Sequence, residues 1–165
     1  MSQDPNAPSL PVVAPADARF AIVWSRFNRP IVQALVDGAT TCLSDHGIDA
    51  GTVDVHQVPG AWELSHVALK LAKTGRYDAI IALGAVIRGG TPHFDYVCDG
   101  ATRGLMRVML DTGVPVAFGV LTTDDEAQAT ARAGGDHGNK GRDAALTAIE
   151  MVVLDRKLQD DALST

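Results

Sequence analysis

The chain reads as a three-layer α/β/α sandwich on a four-stranded parallel sheet, and three observations predict it. Four short apolar runs, "RFAIVWS", "TVDVHQV", "YDAIIALGAVI" and "VPVAFGVLT", alternate with stretches of helical periodicity. The runs are largely continuous in apolar character, as strands become when helices cover both sheet faces. The connections are long enough to hold a helix, which implies parallel pairing and right-handed crossovers. At 165 residues, the chain is long enough for one domain with its own core.

The elements follow in order. Residues 1–17 carry Pro5, Pro8, Pro11 and Pro15 and are expected to form a flexible arm, because proline breaks helices and interrupts central strands. Its "SLPVV" segment could lie as an edge strand or stay disordered. The folded domain is expected over 18–160, with a short tail at 161–165. After the first strand, Pro30 suits a first helical turn, and Ile31, Leu35, Ala39 and Cys42 recur on one face. Gly47 is placed as the residue just past that helix. "PGAWELSHVALKLAKTG" is a second helix. A third begins near Asp95, carries Val97, Ala101, Leu105 and Val108 on one face, and ends near Gly113. Helical stretches at 124–133 and about 141–158 close the chain. The last, "AALTAIEMVVL", is apolar almost all round, which fits a central core helix or one shared with a partner subunit.

Composition narrows the function. Hydrophobic residues make up 46% and the formal net charge is −6, which fits a globular chain and argues against nucleic-acid binding. Cys42 and Cys98 lack paired-motif spacing and read as small buried side chains in a reducing, cytoplasmic setting. No leader peptide and no membrane-length apolar stretch is evident. His46, His56, His66 and His137 show no metal-ligand spacing, so no metal is expected.

Ligands of open parallel sheets bind at the carboxyl ends of the strands, so the loops there carry the candidates. In "SRFNRP", Phe27 could stack a flat ring while Asn28 bonds a polar tail; a packing aromatic and a helix cap would look the same. In "VPGAWEL", Ala61, Trp62 and Glu63 follow a tight turn, and Glu63 suits a ligand or a helix start equally. "GAVIRGGTPHF" is the richest. Gly89 and Gly90 permit close backbone approach, and their N–H groups with that of Thr91 precede a helix, a natural anion site. His93 just beyond is a general acid/base or a structural histidine. Asp124, Asp125 and Glu126 read as a helix start. "GGDHGNKG", flanked by the cations Arg132 and Lys140, is no phosphate loop, since no strand precedes it and the residues around the lysine are wrong. The third strand ends on Gly84-Ala85-Val86 and not on an aspartate, which excludes a phosphoacceptor domain. The loop after the first strand lacks a flavodoxin's phosphate-binding composition.

Together, "RFN" (26–28), "VPGAWEL" (58–64), "GAVIRGGTPHFDYV" (84–97), "FGVLTT" (118–123), "RAG" (132–134) and "GNKG" (138–141) resemble the lumazine synthase family, over roughly residues 19–158. The resemblance implies a flavodoxin-like fold and condensation of 5-amino-6-ribitylamino-uracil with 3,4-dihydroxy-2-butanone 4-phosphate, without cofactor or metal. It implies Phe27 as the stacking platform. Asn28, Glu63 and the backbone at Ala61 are implied for the ribityl chain, with Trp62 beside them. The backbone at Val86 and Ile87 would read the pyrimidine edge, with Lys140 near its carbonyl. Gly90, Thr91 and Arg132 would hold phosphate, and His93 would move protons. Phe118 and Arg132 would arrive from a neighbouring subunit of a homopentamer, which some members build into an icosahedral 60-mer. The N-terminal arm would add a strand to a neighbour, and riboflavin synthase is a candidate partner. Neither nucleic acid nor membrane is implied. Trp62 and Ser65 depart from the family's usual phenylalanine or smaller residue and proline, and Asp136 from a common lysine. Arg88 is expected to brace its loop or an interface. A non-catalytic flavin carrier or storage shell is the alternative, though it would need neither Arg132 nor His93.

Overall fold

A computed structural model describes residues 12–163. Its centre is a parallel sheet of β1 (Phe20–Ser25), β2 (Asp54–Val58), β3 (Ala79–Ile87) and β4 (Val116–Thr123), in the order β2-β1-β3-β4. The helices α1 (Arg29–Asp45), α2 (Leu64–Ala72), α3 (His93–Thr112) and α5 (Lys140–Leu163) cover the two faces. The expected flavodoxin-like α/β/α sandwich is therefore the observed one.

Residue alternation in the central strands feeds two cores. Phe20, Ile22, Trp24, Ile81, Leu83 and Ala85 meet α1 and α5, through Val32, Leu35, Ala145 and Ile149. Ala21, Val23, Ile80 and Ala82 meet α2 and α3, through Leu64, Ala68, Ala101 and Leu105. Both faces of β1 and β3 are thus dry, which is why these runs read as continuous apolar sequence. The edge strands alternate instead: Val55 stays exposed on β2, and Phe118 on β4.

Several boundaries differ from expectation. α3 starts at His93, two residues early, with Pro92 as its cap; proline's fixed φ suits that position. The second helix opens as a 3₁₀ turn, Ala61–Glu63. The helix expected over 124–133 shortens to α4 (Glu126–Ala131), with Asp125 Oδ1 accepting from Gln128 N at 2.7 Å. "AGGDHGN" forms a small antiparallel hairpin, β5 (Ala133–Gly135) and β6 (Gly138–Asn139). α5 runs through Leu163 and not 158, because no glycine or proline stops it. Of the arm, Val12 and Val13 lie in no strand, while Ser9 to Pro11 of the "SLPVV" segment fall outside the described residues. Ala14 is buried, and Asp17 pairs with Arg156 of α5 at 2.7 Å.

Both cysteines are free, Cys42 buried and Cys98 partly so. Among the described residues, no helix is long and apolar enough to cross a membrane.

Candidate active site

The four strand ends and the loops after them build a recess of about 630 Å³, lined by Phe27, Asn28, Ala61, Trp62, Glu63, Val86, Ile87 and His93, with Gly60, Ala85, Tyr96 and Val97. The first eight are the candidates read from three separate loops. Sheet order gathers them, because β1 sits between β2 and β3 and all three strands end at the same edge.

Each loop is fixed locally. The loop after β1 is tied to the end of β2, where Arg26 N donates to Val58 O at 2.8 Å and Phe27 N to Pro59 O at 3.1 Å. That leaves the Phe27 ring 68% exposed above the recess. Asn28 takes a left-handed conformation, φ 56°, at the start of α1. Its side chain does not cap the helix; Nδ2 donates to Ala85 O on β3 at 2.9 Å. One N–H of the amide and its oxygen remain for a ligand.

The turn before α2 is closed by Glu63, whose Oε2 accepts from Gly60 N at 2.8 Å. A Cβ at Gly60 would lie 3.2 Å from that oxygen and 3.4 Å from the Phe27 ring, so the bare glycine lets carboxylate and ring sit together. The helix-start reading of Glu63 is the one seen here: one oxygen serves the turn, and the other keeps its capacity to accept.

The third loop is braced by Arg88. Its Nε reaches Asp124 at 2.9 Å, its Nη1 reaches Asp95 at 3.3 Å, and its guanidinium lies 4.1 Å above the Phe94 ring. The Asp124 hydrogen bond, with help from Asp95, holds the guanidinium more firmly charged than usual. Arg88 thus joins the loops after β3 and β4, as expected of a bracing residue. Gly89, Gly90 and Thr91 stay exposed just before α3. A Cβ at either glycine would meet nothing, and neither has a positive φ. His93 is exposed at the first position of α3. Tyr96, which the sequence reading did not single out, and Val97, expected only on the helix's apolar face, follow one turn later. The i, i+3 and i+4 spacing from His93 was the available signal.

Phe118, Arg132 and Lys140 do not join this group. They line a second recess of about 530 Å³ with Thr122, Asp143 and Thr147. Arg132 closes α4 and donates from Nη1 to Gln128 O at 3.0 Å; Lys140 Nζ pairs with Asp143 at 2.7 Å. The first recess has no lysine or arginine in its lining, while the second has both. Among the described residues no group of three acidic, histidine or cysteine side chains is placed to hold a metal.

These features define a flavodoxin-like α/β protein with an aromatic, carboxylate-bearing recess at the carboxyl edge of its sheet, where such folds hold small molecules. The sequence model for 6,7-dimethyl-8-ribityllumazine synthase matches residues 17–156. The 6,7-dimethyl-8-ribityllumazine synthase of Chlorobium luteolum is 57% identical over 142 residues, covering 86% of this chain and 92% of that protein. That of Salinibacter ruber is 57% identical over 141 residues, covering 86% and 90%. That of Chlorobium phaeovibrioides is 54% identical over 142 residues, covering 86% and 92%. The chain belongs to the 6,7-dimethyl-8-ribityllumazine synthase family.

Proposed function

We propose that the chain condenses 5-amino-6-(D-ribitylamino)uracil with 3,4-dihydroxy-2-butanone 4-phosphate, giving 6,7-dimethyl-8-ribityllumazine, phosphate and water, the penultimate step of riboflavin biosynthesis. It is a transferase that works without cofactor or metal. The observation that carries the reading is the convergence of Phe27, Asn28, Glu63 and His93 in one recess of a chain whose relatives bear that name.

Phe27 stacks on the pyrimidine, and the backbone at Val86 and Ile87 reads its polar edge. The free amide atoms of Asn28 and the unbonded oxygen of Glu63 take ribityl hydroxyls, with the Ala61 backbone. The 5-amino nitrogen attacks the ketone, and an imine forms as water leaves. A carbon-bound proton is removed as the phosphate C–O bond breaks. The ribitylamino nitrogen then closes the ring, and a second water leaves. His93, beside the reacting atoms, accepts and returns protons in these steps. Much of the acceleration comes from holding two substrates in line.

The phosphate needs positive charge, and the first recess supplies none from side chains. Backbone N–H groups at Gly90 and Thr91 meet it at the start of α3. Arg132 supplies the counter-charge from the second recess of a neighbouring copy, and Phe118 and Lys140 arrive with it. The chain therefore works as a homo-oligomer, and its resemblance to the family makes that a pentamer at least. Exposed Met106, Leu110, Leu154 and Leu158 support that assembly. A cytoplasmic setting follows from the pathway, where riboflavin synthase would consume the product.

The test is direct. Incubation with the two substrates gives lumazine fluorescence above the uncatalysed background. No excess over that background overturns the proposal.

A further inference from the structure

α3 carries two glycines one turn apart in its interior, Gly100 and Gly104, although glycine is a poor helix former. Neither has a positive φ, so the backbone conformation does not demand them. Packing does. A Cβ at Gly100 would overlap Cζ3 of Trp62 and lie 2.6 Å from its Cε3; one at Gly104 would lie 2.8 Å from Cβ of Ser65. The six-membered ring of the indole therefore rests on bare helix backbone.

Trp62 is a wall of the recess that holds Phe27 and His93, and it is 58% exposed. Its ring is the movable partner in the contact with Gly100, because α3 is anchored through Ala101 and Leu105. We propose that Gly100 is a positioning residue that acts through Trp62: it lets the indole lie against α3, and so sets the shape of the wall that receives the flat-ring substrate. The inference rests on the condensation reading above. Any side chain at position 100 displaces that wall while leaving His93, Asn28 and Glu63 in place.

Steady-state kinetics and tryptophan emission on the full-length protein test this, with Gly100→Ala, Trp62→Ala and the double variant. The other tryptophan, Trp24, is buried in β1, so a changed emission reports Trp62. Gly100→Ala should shift emission to the red and raise KM for the uracil substrate about tenfold, with kcat and the KM for the phosphate substrate within about twofold. Trp62→Ala should raise the same KM. Adding Gly100→Ala to it should change KM no further and should raise Tm by about 2–4 °C, since alanine is the better helix former. A wild-type KM in Gly100→Ala overturns the proposal. So does a KM rise that persists undiminished in the Trp62→Ala background. If Gly100→Ala does not fold, an unchanged KM in Trp62→Ala overturns it. If the unaltered protein shows no turnover, the condensation reading fails instead. The same comparison is then made on the Kd for the uracil substrate from calorimetric titration, where equal values in the unaltered protein and Gly100→Ala overturn the positioning role.

Discussion

At the scale of single residues, the site is defined by side chains whose bonding capacity is only partly used. Asn28 shows this most clearly. It is the one non-glycine residue with a positive φ among those described, in a region that costs most residues about 1–2 kcal/mol. Asparagine tolerates it, and its Nδ2 ties the loop after β1 to Ala85 on β3. Asn28→Ala should therefore cost about 2 kcal/mol, combining backbone strain with the lost hydrogen bond. Asn28→Gly should recover the strain and not the bond, leaving a loss of about 1 kcal/mol. Urea unfolding separates the two; equal losses would mean that the backbone is not strained there. Gly89 and Gly90 present the opposite case. The chain's own fold makes no use of their missing side chains, which leaves their backbone open to approach from outside.

At the scale of elements, "GNKG" changes meaning once α1 and α5 are in place. Asn139 Oδ1 accepts from Gly141 N at 2.9 Å and Arg142 N at 3.1 Å, which caps α5, while its Nδ2 donates to Ala34 O in α1 at 2.8 Å. A Cβ at Gly141 would overlap the Leu35 carbonyl oxygen and lie 2.6 Å from its carbon. Gly141→Ala must push α5 away from α1, and a loss of about 3 kcal/mol is expected by chemical denaturation. A loss below about 0.5 kcal/mol would show that the helices separate freely. The sequence shows why this was hidden. Hydrophobic period reveals which face of a helix is buried, so Ile31, Leu35, Ala39 and Cys42 were legible. It does not reveal how close two backbones come, since that depends on a partner over a hundred residues away. The β5–β6 hairpin escaped for a related reason: its strands are too short to show a period. Phe27, Ala61, Val86 and His93 were legible as neighbours because each lies at the end of a strand or in the loop after it, and parallel strands deliver their ends to one edge.

At the scale of the whole molecule, charge decides whether one chain suffices. One recess offers a stacking ring, a carboxylate and a histidine; the other offers Arg132, Lys140 and Phe118. Strand order fixes the division. β4 is the edge strand beyond β3, so residues on it and on α5 line a recess apart from the one formed around β1 and β3. A phosphorylated substrate bound in the first recess gains an arginine only if a second copy brings its own second recess alongside. A closed ring of identical contacts meets that need, because each copy then gives one recess and receives the other. The consequence can be measured without knowing the ring size. His93→Ala spoils the first recess, and Arg132→Ala spoils the second. Co-refolded in equal amounts, the two impaired variants should rise to about a quarter of wild-type turnover, above the residual rate of either alone, because random neighbours pair two intact halves about that often in a closed ring. If each site belonged to one chain, every site in the mixture would carry a defect and no activity would return. Recovery near a quarter, well above the residual rate of either variant alone, is the signature of a site completed across subunits.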